Sequence, residues 1–480
     1  MYDVVVIGCG IVGAATAYEL SKYQLKTAVL EKENDVADQT TKANSAIIHA
    51  GYDPEPGTLM AKLNVEGSRL AKELCQKLSV HYNQVGSFVI AFNDEEAKTV
   101  EEIYERGVKN GVPELRILSG EEALKMEPNL NPKVQCALYA PTAAIVNPWE
   151  FAIALAETAV RNGVELYLNN KVVGIEKTAD GYLITTDKNV YETRYIINAA
   201  GVHCDEVHNL VAEPEFRSLP NQGQYYLLDK SQGKLVNKVI FQCPTKVGKG
   251  VLVAPTVHGN LIVGPNSHFV EGYEDVSTTA DGLAEVLNAS LKSVPGINFR
   301  ENIRNFAGIR AYIDREDFLI AESKTAKNFI NLAGIKSPGL SAAPAIAKMA
   351  VDILRDLGLS ATEKEGFVDT REKINFKDLP QEEKAAVIAK DARYGRVICR
   401  CETITEGEIV ACLHSPIPPK TIDGVKRRCN AGMGRCQGGF CGPRVQEIIS
   451  RELHIPYSEI EMDKTGSYII TGETKVGGNL

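Results

Sequence analysis

The chain lacks the features of a membrane-spanning, secreted or nucleic-acid-binding protein. In its 480 residues no apolar run approaches the ~20 residues that cross a bilayer. The first residues, MYDVVVIG, show no basic stretch ahead of a long apolar segment, which argues against a signal peptide. Positive charge is not in excess, because 53 basic and 62 acidic residues give a net charge of −9, whereas nucleic-acid binding needs a basic footprint. These absences predict a cytoplasmic location, no nucleic acid as partner, and contact with a membrane only through other proteins.

Repeats and low-complexity tracts are also missing, and the composition is that of a globular protein. Hydrophobic residues make up 44% of the chain and charged residues 24%, which is enough apolar material for a large core. The length predicts roughly two to four domains. Cysteine is unevenly placed, because six of the eleven cysteines lie between Cys399 and Cys441. In an intracellular protein such a cluster favours metal binding or redox chemistry over structural disulfides.

A glycine-rich turn lies close to the start of the chain. Gly8–Gly13 reads GCGIVG and falls between a predicted strand, Val4–Ile7, and a predicted helix from about Ile11 to Lys22. In a G-x-G-x-x-G motif the glycines allow a tight turn, a close approach to a pyrophosphate, and close packing of helix on strand. A second predicted strand, Lys26–Glu31, ends in an acid whose carboxylate can accept hydrogen bonds from a ribose diol. The motif therefore predicts a dinucleotide site, and the alternative is a chance glycine-rich turn.

Two later segments make the pattern more specific. Tyr195–Gly201 reads YIINAAG, a predicted strand ending in small residues that let the backbone approach a nucleotide, and Asn331–Ser341 reads NLAGIKSPGLS. Together with the glycine motif they resemble the D-amino-acid-oxidase-like superfamily of FAD enzymes, over roughly residues 1–360. The resemblance implies FAD as cofactor and places Asn331–Ser341 against the flavin ring. The alternative for Ser337–Ser341 is an ordinary loop before a predicted helix, Ala342–Leu357.

A third segment, Thr40–Gly51, reads TTKANSAIIHAG. It is similar to a flavin-facing segment of glycerol-3-phosphate dehydrogenases and L-2-hydroxyglutarate dehydrogenases. The resemblance places His49 close to the isoalloxazine ring, whereas the alternative is a core histidine with satisfied hydrogen bonds. A covalent bond between FAD and His49 is not expected. By resemblance, the expected FAD-binding residues are Gly8, Gly10, Ile11, Val12, Gly13, Glu31, Lys32, Thr40, Thr41, Asn44, Ser45, Ile47, His49, Val172, Val173, Ala199, Ala200, Gly201, Gly308, Gly334, Pro338, Gly339, Leu340 and Ser341.

Four cysteines near the C-terminal end form two close pairs in sequence. Cys399 and Cys401 are a C-x-C, and Cys436 and Cys441 are a C-x4-C within GMGRCQGGFCGP. Four thiolates on two loops can hold a [2Fe–2S] cluster or a tetrahedral zinc ion, and the alternative is vestigial cysteines. The segment resembles the bacterioferritin-associated-ferredoxin-like [2Fe–2S] domain, which implies a [2Fe–2S] cluster with these four cysteines as its ligands.

These observations predict the fold class and the domain boundaries. The expected fold is α/β, with a Rossmann-like FAD-binding domain intertwined with a mixed-sheet substrate domain, followed by a small C-terminal helical [2Fe–2S] domain. We expect the FAD-dependent oxidoreductase at 1–365, a linker or a short bridging helix at 366–394, the [2Fe–2S] domain at 395–457 and a tail at 458–480. Within the first part, the FAD domain should take about 1–80, 145–215 and 330–365, and the substrate domain about 81–144 and 216–329.

The substrate-binding residues carry a weaker signal. Lys62, Arg310 and Arg315 can bind an anion, and Arg310 lies in AGIRA, which resembles the segment that meets substrate anions in the superfamily. Tyr225 is expected to close the pocket, with a plain sheet aromatic as its alternative. His49 and Arg310 are the expected catalytic residues.

The implied reaction oxidises a small anionic secondary alcohol by hydride transfer to flavin, helped by a base. Glycerol 3-phosphate is the expected substrate, to dihydroxyacetone phosphate. L-2-hydroxyglutarate or another 2-hydroxy acid is the alternative, because Tyr52-Asp53 stand where aerobic glycerol-3-phosphate dehydrogenases carry an arginine. Electrons would leave singly through the cluster to a partner flavoprotein or small redox subunit. A second alternative is a non-catalytic electron-transfer subunit.

Overall fold

A computed structural model describes residues 1–244 and 250–472 and divides into two compact units. The first unit contains residues 1–32 and 36–370, and the second contains Glu33–Asp35 and the chain from Arg371 onward. The last eight residues of the predicted tail lie outside the described residues. Within the described ranges, no helix combines the length and the apolar character that crossing a membrane requires.

The first unit contains twenty strands and eight helices in its described residues. Its strands are β1 Tyr2–Ile7, β2 Thr27–Leu30, β3 Ile47–Ile48, β4 Tyr82–Asn83, β5 Ser87–Ala91, β6 Arg116–Ser119, β7 Cys136–Ala140, β8 Ala144–Val146, β9 Glu165–Tyr167, β10 Val172–Lys177, β11 Tyr182–Thr186, β12 Val190–Asn198, β13 Ser218–Leu228, β14 Val239–Gln242, β15 Leu252–Pro255, β16 Leu261–Gly264, β17 His268–Phe269, β18 Asn302–Ile313, β19 Leu319–Glu322 and β20 Phe329–Ala333. Its helices are α1 Ile11–Leu20, α2 Leu59–Lys77, α3 Asp94–Lys109, α4 Gly120–Met126, α5 Pro148–Arg161, α6 Cys204–His208, α7 Ala280–Ser293 and α8 Gly339–Asp356.

The first sheet is the predicted nucleotide-binding sheet. β1 lies at its centre and pairs in parallel with β2 and β12, β2 pairs in parallel with β9, and the end of β12 pairs in parallel with β20. The first half of β12 pairs antiparallel with β11, which pairs with β10. Val4, Val5 and Val6 are completely buried, as expected for a parallel strand covered on both faces. The α/β fold class and the Rossmann-like βαβ unit are therefore confirmed.

A second, nine-stranded sheet forms the other half of the first unit. Its order is β17-β13-β16-β15-β14-β5-β7-β6, and the twelve-residue β18 pairs antiparallel along the length of β13. Its strands come from two separate stretches of sequence, β5–β7 and β13–β18. The chain thus passes from the first sheet to the second and back, which is the intertwined arrangement that the sequence predicts.

Helix α8 begins earlier than the sequence indicates. We predict Ala342 as its first residue, but the helix starts at Gly339, inside the NLAGIKSPGLS segment. It packs against α1 and α2, and the approach to α2 is close, because a Cβ on Gly67 would lie 2.3 Å from the carbonyl oxygen of Ser341. The first turn of α8 is therefore held in place by backbone contact with α2.

The second unit is small and mostly helical. Its elements are α9 Gln381–Lys390, β21 Val397–Cys399, β22 Ile404–Thr405, α10 Glu406–Leu413, α11 Ile422–Cys429 and α12 Gly442–Leu453. Helix α9 lies within the predicted linker and corresponds to the predicted bridging helix. Ile409, Val425 and Ile449 are buried completely in the core between α10, α11 and α12. Thr405 and Glu408 form a capping box that fixes the start of α10.

A buried ion cluster joins two distant parts of the sequence within the second unit. The Asp35 carboxylate accepts hydrogen bonds of 2.9 Å from two nitrogen atoms of Arg428 and from Nη2 of Arg427. Arg427 Nη1 also donates to Asp463 at 2.7 Å. Although burial alone raises the pKa of Asp35, Arg428 and Arg427 hold that pKa well below its usual value. The carboxylate is therefore the counter-ion that makes the two buried guanidinium groups tolerable.

We predict that Asp35→Asn lowers the free energy that opens α11 by about 3–5 kcal/mol, because it leaves two buried guanidinium groups without their anion. Hydrogen exchange of the α11 amides, followed by mass spectrometry, measures this. The stabilisation from a lowered carboxyl pKa is fully present above the unfolded pKa of about 3.9 and is lost as the pH falls through the folded value. The difference between wild type and variant should thus be constant above about pH 5 and shrink below pH 4.

Asp423→Asn is the matched control, because Asp423 is partly exposed and faces Lys426 on the same helix at 3.5 Å. Its cost should stay within about 1 kcal/mol. Equal protection losses in the two variants would contradict the assigned role of Asp35.

Candidate functional site

A cavity of about 510 Å³ lies in the first unit, between the first sheet and β18. It begins at the turn between β1 and α1 and extends past residues 38–49 to the start of α8. The described lining is mainly apolar with a few polar groups, as expected for a cofactor site.

The glycine turn at one end is shaped by backbone contacts. Gly8 has a φ of +97°, and a Cβ there would lie 2.6 Å from the carbonyl oxygen of Ala199 at the end of β12. A Cβ on Gly13 would lie 2.0 Å from the carbonyl oxygen of Gly8. Helix α1 has no acid in its first turn, and the Ile11 amide donates to Thr41 Oγ1 at 3.0 Å. The N-terminus of α1 therefore lies at the cavity, and its first turn carries no carboxylate that would compete with a pyrophosphate for the free amides.

Glu31 lies where β2 ends, beside the glycine turn. It is buried, and its Oε2 accepts a hydrogen bond of 2.6 Å from the Cys9 amide. Nζ of the next residue, Lys32, donates to Glu274 Oε1 at 2.6 Å and lies 3.1 Å from His203 Nε2. The Glu31 carboxylate thus anchors the turn as well as lining the cavity where a ribose would lie.

The middle of the cavity is formed by residues 40–45 lying against β18. Thr40 Oγ1 donates to the carbonyl oxygen of Ile309 at 2.6 Å, and Asn44 Nδ2 donates to the Thr41 carbonyl oxygen at 2.8 Å. A Cβ on Gly308 would lie 1.9 Å from the Ala43 carbonyl oxygen. Gly308 is therefore required for this contact between the segment and β18, although it does not itself line the cavity.

His49 is fixed by contacts on several sides. Its amide donates to Ser341 Oγ at 2.8 Å, and its carbonyl oxygen accepts from Asn64 Nδ2 at 3.0 Å. The imidazole packs against the Phe241 ring, with 5.6 Å between ring centroids, and its Nε2 lies 3.3 Å from Ser337 Oγ. His49 and Ser337 both line the cavity.

Arg310 lies on β18 at the same end of the cavity. One of its terminal nitrogen atoms donates to the Asn266 carbonyl oxygen at 2.8 Å, and the other contacts the side-chain oxygen of Asn221 and Ser267 Oγ. Tyr225 is buried and its ring stacks on the Phe306 ring. Its hydroxyl oxygen lies 3.2 Å from Ser45 Oγ. Arg310, Tyr225 and Ser45 all line the cavity.

Most of the residues predicted for the cofactor and the substrate line the cavity, and a few lie outside its lining. Those that line the cavity are Gly8, Gly10, Ile11, Val12, Glu31, Lys32, Thr40, Thr41, Asn44, Ser45, Ile47, His49, Val172, Val173, Ala199, Ala200, Gly201, Tyr225, Arg310, Pro338, Gly339 and Leu340. Those that lie behind the lining are Gly13, Gly308, Gly334 and Ser341, and their contacts position it.

Lys62 and Arg315 are not in the described lining. Lys62 lies on α2, and Arg315 Nη2 donates to the carbonyl oxygen of Glu215 at 2.8 Å. The nearby Asp317 accepts hydrogen bonds from the amides of Leu59 and Met60, so it caps α2. The cavity geometry thus favours Arg310 over Lys62 and Arg315 as the anion ligand.

Sequence reasoning missed Lys336 and Ser337, which both line the cavity. Lys336 Nζ lies 4.5 Å from the centroid of the Tyr312 ring. Tyr312 and Arg310 are alternate residues of β18, so their side chains lie on the same face of the strand. Lys336 and Arg310 are thus two cations of the same cavity lining. The sequence signal for Lys336 is its place within the NLAGIKSPGLS segment.

The four cysteines of the second unit form two close pairs. The sulfur atoms of Cys401 and Cys436 are 3.9 Å apart and exposed, whereas Cys399 and Cys441 are buried. The Cys441 thiol donates to Cys399 and lowers the pKa of Cys399 to about 6, and the same contact raises the pKa of Cys441. Within the described residues, no three His, Cys, Asp or Glu side chains are arranged to hold a single metal ion.

The surroundings of the cysteines suit a negatively charged cluster. The amide of Phe440 donates to Cys436 and lowers its pKa, and the amides of Gly432 and Glu402 donate to Cys399. A Cβ on Gly434 would lie 2.2 Å from Cβ of Cys401, so only glycine allows the two loops to meet. Two sulfur pairs surrounded by amide donors fit a [2Fe–2S] cluster, whose charge such donors offset.

Comparison with known proteins agrees with both sites. Residues 3–353 match the family described as FAD dependent oxidoreductase, and residues 397–451 match the BFD-like [2Fe-2S] binding domain. A glycerol 3-phosphate dehydrogenase of Caloramator mitchellensis is 53% identical over 476 residues, 99% of each chain. The FAD-bound L-alpha-glycerophosphate oxidase of Mycoplasma pneumoniae has a TM-score of 0.73 and 34% identity, covering 77% of this chain and 98% of that chain. The human mitochondrial L-2-hydroxyglutarate dehydrogenase is 28% identical over 409 residues, 73% of this chain and 88% of that protein.

We predict that Glu31→Gln weakens FAD binding about tenfold, because a neutral amide replaces a charge-assisted acceptor worth about 1.5–3 kcal/mol and keeps part of it. Quenching of FAD fluorescence on titration with the cofactor-free protein gives the dissociation constant. Glu165→Gln is the control, since Glu165 lies on the adjacent β9 and binds the hydroxyls of Tyr2 and Tyr167. An unchanged FAD affinity in Glu31→Gln would contradict the role of Glu31.

Proposed function

The chain belongs to the FAD-dependent oxidoreductase family, with a BFD-like [2Fe–2S] domain at residues 397–451, and from this we propose that it oxidises glycerol 3-phosphate. It is an FAD-dependent dehydrogenase whose cofactors are FAD and a [2Fe–2S] cluster. The proposed reaction converts the secondary alcohol to the ketone of dihydroxyacetone phosphate. Electrons then pass singly through the cluster to a partner protein.

The observation that carries the proposal is that two cations, Arg310 and Lys336, line the cavity. His49 and Ser337 line the same cavity. A phosphate monoester carries close to two negative charges at neutral pH, with a second pKa near 6. Two cations match this doubly charged single group, whereas L-2-hydroxyglutarate divides its two charges between carboxylates at opposite ends of the molecule.

Arg310 is suited to hold an oxygen anion in a fixed position. Its guanidinium is oriented by Asn221, by Ser267 and by the carbonyl oxygen of Asn266 before any substrate enters. Such pre-orientation reduces the entropy that substrate binding costs and aligns the reacting carbon. Arginine also offers paired N–H donors to phosphate oxygens.

His49 is the proposed proton acceptor. The oxidation requires a group that takes the hydroxyl proton while bound FAD supplies the acceptor for the hydride. The imidazole is held by the residue's backbone contacts and by Phe241, and its Nε2 contacts Ser337 Oγ, another residue of the cavity lining. A substrate hydroxyl placed beside this pair of atoms, on their cavity side, can come within hydrogen-bond reach of both.

The similar proteins support this substrate. The proteins named for glycerol 3-phosphate are 53% identical across nearly the whole chain and 37% identical over 363 residues, the latter from Mycoplasma genitalium. The human L-2-hydroxyglutarate dehydrogenase is more distant, at 28%. Oxidation of a 2-hydroxy acid remains the second candidate, because the cavity would accept a carboxylate at Arg310. A non-catalytic electron-transfer subunit is set aside, since the chain is a dehydrogenase.

The cluster gives the proposed route for electrons. Reduced flavin holds two electrons and a [2Fe–2S] cluster transfers one at a time, so the pair suits delivery to a protein acceptor. We propose Cys399, Cys401, Cys436 and Cys441 as the ligands, because their sulfur pairs and amide donors fit the cluster. The acceptor would be a partner flavoprotein or a small redox subunit. The cytoplasmic location expected from the sequence stays a prediction.

We predict that Arg310→Ala lowers kcat/KM for glycerol 3-phosphate by about 10- to 100-fold, the loss of a charged hydrogen bond worth about 1.5–3 kcal/mol. Lys336→Met should lower kcat/KM for glycerol 3-phosphate at least tenfold more than for L-2-hydroxyglutarate. Anaerobic bleaching of the flavin absorbance measures both. Arg315→Ala is the control and should leave kcat/KM unchanged for both substrates. A Lys336→Met enzyme with unchanged preference would contradict the two-cation argument.

We also predict that Cys436→Ser loses the cluster and with it transfer to a one-electron protein acceptor, while substrate still reduces the flavin. Iron and acid-labile sulfide analysis reports the cluster, and flavin bleaching reports the first step. Cys412→Ser is the matched control, because Cys412 lies on α10 and donates to the Ile409 carbonyl oxygen at 3.0 Å. Equal loss of flavin reduction and acceptor reduction in Cys436→Ser would count against the relay.

A further inference from the structure

One edge of the second unit brings the exposed cysteines together with an exposed aromatic ring and basic side chains. We call it the cluster edge and define it as Arg400, Cys401, Arg435, Cys436 and Phe440. Phe440 is 61% exposed and lies four residues after the exposed Cys436. The guanidinium of Arg400 lies over its ring, 4.9 Å from the centroid. The ring is thus held in position while its outer face remains open to solvent.

The charge of the cluster edge is the opposite of the charge of the whole chain. In the loops 399–403 and 432–444 the charged residues are Arg400, Glu402, Arg435 and Arg444. The single acid among them, Glu402, is buried, with 3% of its surface exposed. The exposed charges of these loops are therefore all positive, although the chain as a whole carries −9. Charges this close to the cysteines dominate the local field, because salt screens distant ones.

We propose that the cluster edge is the docking surface for a small one-electron carrier protein with an acidic face. The inference rests on the proposed function, since it takes the cluster as the exit for electrons. Aromatic residues and arginine are the side chains most enriched in protein interfaces. Weak electron-transfer complexes bury small interfaces, so one ring and two arginines are a sufficient centre. Complementary charge then sets the rate of encounter.

The chemical step is the movement of one electron. It leaves the reduced [2Fe–2S] cluster and enters the oxidised carrier, so that the cluster is oxidised by one unit and the carrier is reduced by one. No bond forms or breaks, and no proton is transferred. Cys401 and Cys436 are the exposed cysteines of the four, so this side of the cluster is the one nearest to a docked carrier.

The test uses the full-length holoprotein and two small carriers of opposite charge. Plastocyanin, a blue-copper protein with an acidic face, is the probe, and the basic haem protein cytochrome c is its counterpart. The protein is reduced with dithionite, so that the measurement does not depend on which substrate the enzyme uses. Stopped-flow absorbance gives the second-order rate constant for each carrier at about 10 mM and about 150 mM salt, where the screening length falls from about 30 to 8 Å.

The wild type should reduce plastocyanin faster than cytochrome c at low salt, and added salt should remove the difference. The double variant Arg400→Glu/Arg435→Glu should lower the plastocyanin rate constant at least about tenfold and raise that of cytochrome c. Phe440→Ala should lower the rate constants for both carriers. The control, Lys390→Glu/Lys420→Glu, makes the same change of charge at two exposed residues outside the cysteine loops and should change neither rate. Cluster content by iron and sulfide analysis should be equal in all variants.

Binding without electron flow gives a second readout. Redox-inert, zinc-substituted plastocyanin should bind the immobilised wild type and should bind the Arg400→Glu/Arg435→Glu variant more weakly. Equal binding and equal rates in the two proteins would overturn the proposal. Binding to phosphatidylglycerol vesicles that depends on Phe440, without any plastocyanin effect, would overturn it in favour of a membrane surface. Failure of glycerol 3-phosphate to bleach the flavin would refute the proposed substrate alone, because the carrier measurements begin from dithionite.

Discussion

The first unit depends on close contact between backbones where β1 turns into α1. A Cβ on Gly13 would clash with the Gly8 carbonyl oxygen, and a Cβ on Gly8 would clash with the Ala199 carbonyl oxygen at the end of β12. Helix α1 packs between α5 and α8, and α8 in turn meets α2 at Gly67 with similarly little space. The dinucleotide end of the cavity and the segment that forms its other end are therefore connected by helices that cannot move apart without losing these contacts.

Local charge, rather than net charge, sets what each surface can bind. The chain is acidic overall, yet Arg310 and Lys336 both line the cavity, and Arg400 and Arg435 each adjoin an exposed cysteine in the sequence. Electrostatic interactions are strongest at short range and in partly dry surroundings, so neighbouring cations outweigh remote carboxylates. Asp35 shows the opposite use of charge, because its carboxylate is enclosed by two arginines and serves stability.

The two units divide the chemistry between them. The first has the cavity whose lining includes Arg310 and His49, the residues that we propose for the alcohol oxidation, and the Mycoplasma pneumoniae oxidase matches 98% of its own length to 77% of this chain. The remaining quarter is enough for the second unit, which carries the four cysteines. A module that accepts single electrons changes where the electrons go without changing how the substrate is bound. This is the physical reason for expecting a dehydrogenase with a protein acceptor.

The sequence alone determined the features that depend on neighbouring residues. The glycine turn between β1 and α1, the acid that ends β2 and the C-x-C and C-x4-C motifs were all identified from local spacing, because turn geometry and motif spacing are local properties. Which sulfur of one motif meets which sulfur of the other is a tertiary feature. The tertiary structure decided which distant side chains meet. It brought Lys336 over the Tyr312 ring, directed Arg315 to Glu215, used Asp317 as a helix cap, and placed Asp35 against Arg427, 392 residues away. Such contacts follow from strand register and helix packing, which only the folded chain fixes, and no pattern of neighbouring residues contains them.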